Sequence, residues 1–159
     1  MPSWLNNLGI SFQSHFKYTG DLADVSKAIS YMQKAVHLAP EGHAYLPSWL
    51  NNLGNSLQSC FEHTGNLADI SDAITHQQRA VHLTLADISN AISCQQKAVH
   101  LTPEGHADMP IWLNNLGESF QSCFNCTGDL ADFQMHLSID HQCATYSSGS
   151  PSTRLMAAT

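Results

Sequence analysis

Positive charge is what this sequence has least of. Its 159 residues carry six Lys and Arg against thirteen Asp and Glu, a formal charge of −7. A nucleic-acid binder needs bases to displace counterions from phosphates, and an anionic membrane surface asks for the same residues, so neither partner is expected. Charge of either sign is scarce, at 12% of residues, about half the roughly 25% of an ordinary globular chain. No apolar run approaches the about 20 residues of a transmembrane helix. The opening Met1-Pro2-Ser3-Trp4-Leu5-Asn6-Asn7 lacks the basic start and apolar stretch of a secretion leader. Five Cys, an odd count beside no leader, read as reduced thiols. These absences predict an intracellular protein, cytoplasmic in the simplest reading. Strand signals are missing too: there is no sustained period-two alternation and no Asn-Gly hairpin.

What is present is repetition. Pro2-Ser3-Trp4-Leu5-Asn6-Asn7-Leu8-Gly9 returns as Pro47-Ser48-Trp49-Leu50-Asn51-Asn52-Leu53-Gly54, and again as Pro110-Ile111-Trp112-Leu113-Asn114-Asn115-Leu116-Gly117. Residues 2–38 and 47–83 agree at 25 of 37 positions. The first step is 45 residues and the second is 18 longer, because 85–102 is a second copy of 67–84. The predicted organisation is therefore repeat 1 at 1–46, repeat 2 at 47–84, an orphan second-helix half-repeat at 85–109, a truncated repeat 3 at 110–133 and a non-repeat tail at 134–159.

Each unit reads as two helices. Leu5, Leu8, Phe12 and Phe16 form one stripe at helical spacing, and Pro2 suits a first turn. Thr19-Gly20-Asp21 then breaks the chain, with Gly20 as C-cap and Asp21 as the next N-cap. Leu22, Val25, Ala28, Ile29, Met32, Ala35 and Val36 share one face of the second helix, which Pro40 ends. Leu8, Gly9 and Phe12, followed by Ala28, Met32, Ala35 and Pro40, resemble the signature of the tetratricopeptide (TPR) repeat. Ala91, Gln95, Ala98 and Pro103 repeat its second half. The 45-residue step exceeds the family's period of about 34. It is similar to the longer repeats of kinesin light chains and of fungal arrays that accompany CHAT protease or NTPase domains. The resemblance implies an all-α fold: a short, irregular TPR-like α-solenoid of antiparallel helix pairs, with a disordered C-terminal tail.

Two irregularities stand out. The junction Val81-His82-Leu83-Thr84-Leu85-Ala86-Asp87-Ile88 has neither Pro nor Gly. An offset of 18 residues is about five turns at 3.6 residues each, so the apolar stripe stays in phase. That predicts one long helix over 67–101, with a break near Thr84 as the alternative. In the third unit, His136 and Leu137 stand where earlier units have Ala and Ile. The polar stretch from Ser147 onward carries no stripe, which predicts disorder there.

Little in the sequence suggests chemistry. Cys123, Cys126, His136 and His141 have the donor types of a zinc finger. Their nine-residue gap falls short of the about twelve such a finger uses. They are weak metal candidates, and no metal or cofactor is expected. Half of the ten His are repeat copies: His37, His82 and His100 share one position, His43 and His106 another. No Cys sits in a glycine-framed nucleophile motif, and Cys60 and His63 are simply i, i+3 on a surface, so an enzyme is not expected. The resemblance places the first helices along a concave groove. It implies peptide-contacting Asn7, Asn52 and Asn115, and the amides spaced beside the apolar stripe, Asn6, Gln13, Asn51, Asn55, Gln58, Asn114 and Gln121, complete the expected peptide-binding set. An amide both donates and accepts, so it can pair with an extended backbone whatever the side chains. The expected function is a non-catalytic scaffold for a protein or peptide, with self-association through an unpaired third repeat. A regulatory fragment of a larger CHAT-protease or NTPase protein is the alternative, and a zinc module at 123–141 the second.

Overall fold

In the computed structural model, which describes residues 2–40 and 42–147, every regular element is a helix. The order is α1 (Pro2–Thr19), α2 (Leu22–His37), α3 (Leu46–Thr64), α4 (Leu67–Leu101), α5 (Met109–Thr127) and α6 (Leu130–Ser147). No strand occurs among the described residues. None of these helices is long and apolar enough to cross a membrane.

The same corner is built three times. Gly65 takes φ 69°, a left-handed conformation that suits a residue without Cβ, and its N–H donates to the Phe61 carbonyl at 2.7 Å. Thr64 Oγ1 accepts from the Asn66 N–H at 3.2 Å, and Asn66 Oδ1 accepts from the Ala68 N–H at 3.1 Å, starting α4. Thr19 with Asp21, and Thr127 with Asp129, repeat both bonds. These side-chain caps satisfy donors that a helix start leaves open. The loops at 38–45 and 102–108 use another device. His43 Nδ1 accepts from the Tyr45 N–H and His106 Nδ1 from the Asp108 N–H, both at 3.2 Å. Two of the ten His are thus turn formers.

The chain divides into two compact units, Met1–Thr84 and Leu85–Thr159. In the first, α1 and α2 run antiparallel: Gly9 meets Met32, Phe12 stacks on Tyr31 at 5.7 Å, and His15 reaches Asp24. Val25, Ala28, Met32 and Ala35 are fully buried between α2 and its neighbours. Met32 joins Leu53, Leu57 and Ala73 in one cluster, with Ile29 and Val36 at its edge. Leu46, Leu50 and Ala80 form a second, closed by Val36 and Leu83. Thus α3 lies between α2 and the first part of α4. In the second unit α5 packs on α6 and on the later part of α4. There Met109, Leu113, Leu116, Phe120 and Ile139 cluster, with Ile92, Val99, Cys143 and Tyr146 against them.

Two expectations change. The stripe of α1 is only partly covered: Phe16 is buried, Leu5 and Phe12 are half-buried and Leu8 is exposed. The third repeat does not stop at 133, since α6 continues to Ser147. Its register explains this. Cys143 keeps a small side chain at the position of Ala35, and Ile139 is buried against α5. His136, in the place of Ala28, turns its Nδ1 onto the Gly117 carbonyl at 3.1 Å. The second helix of the third repeat is therefore present and packs on α5. The expectation of a disordered tail concerns 148–159, outside the described residues.

The junction at 81–88 is helical throughout, so α4 is one element of 35 residues. A first helix is missing as a result. Ala91 and Cys94, copies of the buried Ala28 and half-buried Tyr31, are exposed.

Candidate functional site

The amides of the first helices fall into two groups. Asn6 is buried, and its Oδ1 accepts from Asn52 Nδ2 at 3.2 Å. This bond ties α1 to α3 at the same level of successive repeats. Asn6 is therefore a structural amide and leaves the set expected to meet a ligand: its acceptor is used and its surface is covered. Asn52 is half-buried as its partner.

The second group is exposed. Asn51, Asn55, Gln58 and Glu62 form one polar stripe down α3, and Asn114, Glu118, Ser122 and Asn125 its counterpart on α5. Neighbours along the stripe hold one another. Gln58 Nε2 donates to Glu62 at 3.0 Å, Asn114 Nδ2 to Glu118 at 2.9 Å, and Gln121 Nε2 to Asn125 at 2.9 Å. Gln77 Nε2 on α4 donates to Asn55 Oδ1 at 3.2 Å. Surface pairs at i, i+4 are weak, each about 0.2–0.5 kcal/mol, so a ligand exchanges them at small cost. Asn7 is exposed on α1, while Gln13, Asn115 and Gln121 are half-buried. Asn7, Asn51 and Asn55, on the two helices tied by Asn6 and Asn52, thus form the accessible amide surface of the first unit.

A second constellation was not apparent from the sequence. His15 Nδ1 bonds Asp24 Oδ2, and Lys27 Nζ lies 3.4 Å from Asp24 Oδ1. The His15 bond above all, with Lys27 helping, holds the buried Asp24 carboxyl below its ordinary value. The same two positions in the next repeats are Cys60 with Asp69 and Cys123 with Asp132. Each is a bridge from late in a first helix to the first turn of the second. The signal was present in the register, where Asp24, Asp69 and Asp132 share one position, but Cys and His do not look alike in a sequence. Because the folded value of Asp24 lies below the unfolded one, its bond adds stability above about pH 4, the usual Asp range. That contribution is lost as acid titrates the folded carboxyl. Urea midpoints should therefore favour the wild type over Asp24→Asn at neutral pH, with the gap closing as acid titrates the folded carboxyl below the usual Asp range.

The zinc candidates are accounted for by the same bridge. Cys123 donates to Asp132, and this bond, with burial, pushes its thiol up to about 11. Zinc takes the thiolate, which this environment opposes. His136 is held by Gly117 and lies 3.5 Å from Asp140, while Cys126 and His141 are exposed. Among the described residues no three His, Cys, Asp or Glu side chains come together to hold a metal ion. Two open depressions lie at repeat-equivalent places, one at Gln33, Lys34, His37 and Leu38, the other at Ser93, Gln96, Lys97, His100 and Leu101. Neither contains a nucleophile held by a base.

Comparison with protein-family models, with curated proteins and with solved structures finds no match to this chain.

Proposed function

We propose that the chain is a non-catalytic, TPR-like scaffold that binds an extended peptide along its first helices. The observation that carries this reading is the arrangement of amides on α1 and α3. Asn6 and Asn52 fix the two helices in register at 3.2 Å, while Asn7, Asn51 and Asn55 stay exposed beside them. Spaced amides on adjacent helices suit a backbone, whose N–H and C=O groups alternate. Scarce charge suits it as well: Lys17 is the only Lys or Arg in α1, α3 or α5, so acidic peptide ends gain no clamp. Recognition rests on shape and hydrogen bonding, with slow, salt-insensitive encounter.

The test uses peptides selected from a random-sequence library on the wild-type protein. The triple variant Asn7→Ala, Asn51→Ala, Asn55→Ala should bind them about a hundredfold more weakly, three bonds at about 1 kcal/mol each. Its helicity should not change, since all three side chains are exposed. Equal affinity in a fully helical triple variant contradicts the proposal.

A further inference from the structure

Inside this chain one helix-to-helix interface is made twice. Ile29 and Val36 of α2 receive α3 through Leu50 and Leu53. At the equivalent positions, Ile92 and Val99 of α4 receive α5 through Leu113 and Leu116. All four Leu are buried, at 0–5% exposure.

Each half of this interface has a third copy without a counterpart in the chain. The receiving stripe recurs as Ile74 and Val81 on the first part of α4, 49% and 50% exposed, because the first helix that should follow them is missing. The inserted stripe recurs as Leu5 and Leu8 on α1, where Leu8 is 38% exposed and Trp4 67%. The leftover surfaces match in sequence as well as kind, since α1 and α3 share the Pro-Ser-Trp-Leu-Asn-Asn-Leu-Gly block.

We propose that α1 of one copy docks on the Ile74 and Val81 stripe of a second copy, supplying the missing first helix. The occupant is a second copy because the complementary surface is already encoded in this chain, by a segment whose near-duplicate makes that contact internally. The contact is heterologous, so each copy still offers one free half and association continues head to tail. It is weaker than its internal models. At the position of Met32 stands Gln77, already bonded to Asn55 at 3.2 Å, and burying an amide contributes less than burying a thioether. The competing receiver is α6, where Leu137 is 51% exposed, but Asp140 takes the central place there.

Sedimentation equilibrium of the full chain tests this. The wild type should show a mean mass that rises with concentration up to about 0.5 mM, as a contact of millimolar to micromolar strength does. Leu8→Glu and Val81→Glu should each be monomeric. Mixed in equal amounts they should form a dimer and nothing larger, since one retains the receiving stripe and the other the inserted one. Leu137→Glu should associate like the wild type. Circular dichroism checks that each variant is folded, and Trp4→Glu replaces Leu8→Glu if the latter is not. A monomeric wild type at every concentration overturns the proposal. So does a mixture of folded variants that stays monomeric, or loss of association in Leu137→Glu.

Discussion

Leu53→Ala is expected to lower the unfolding free energy by about 2–5 kcal/mol, while Leu8→Ala, at the same repeat position, lowers it by about 1 kcal/mol or less. The two leucines sit in the same sequence block but have different neighbours. Leu53 is fully buried against Met32, Leu57 and Ala73, so truncation leaves a cavity where three helices meet. Leu8 is 38% exposed, and its truncation opens a surface that water already reaches. Against a typical total of about 5–15 kcal/mol, the Leu53 loss moves the urea midpoint visibly and the Leu8 loss barely does. In a stacked array the damage should also be local, so hydrogen exchange should accelerate most in α2, α3 and the first part of α4. Equal midpoint shifts for the two variants would mean that α1 has a neighbour this fold does not give it.

Gly9→Val is expected to cost about 3 kcal/mol or somewhat more, and Gly117→Ala close to nothing. A Cβ at Gly9 would stand 2.6 Å from Met32 Cγ and 3.0 Å from the Ala28 carbonyl oxygen. The oxygen belongs to the α2 backbone and Met32 is fully buried, so neither yields without moving the helix. At Gly117 the nearest atom is Asp140 Oδ1, at 3.1 Å, the end of a half-exposed side chain that can swing away. Alanine there also gains about 1 kcal/mol of helix propensity. Thermal unfolding of the two variants beside the wild type reads this order directly. A Gly9→Val variant as stable as the wild type would show that α1 and α2 do not approach this closely.

The repeat made much of the fold legible before any coordinates. Thr-Gly-Asp predicted the corner at 19–21, and the five-turn offset predicted an unbroken α4, because capping chemistry and helical phase are local properties. Contacts between helices were less legible. Leu8 and Leu53 are the same letter in the same context, and only the side chains packed over Leu53 separate them. The helix that ends the third unit is hard to read in the sequence for a related reason. His136 and Asp140 depart from the internal repeat in α6, yet a bond to the Gly117 carbonyl and burial of Ile139 keep the helix in place. Within the amide set, Asn6 and Asn7 are adjacent and identical, and the helical turn between them makes one structural and the other accessible.

The departure from a regular array lies in α4, and the exposed stripe of Ile74 and Val81 follows from it. Carbon chemical shifts of the backbone, assigned by NMR from Leu67 to Leu101, test this most directly. Uninterrupted helical Cα shifts through Val81, Thr84, Leu85 and Ile88 are the expected result. Coil-like values around Thr84, marking two separate helices there, would contradict it.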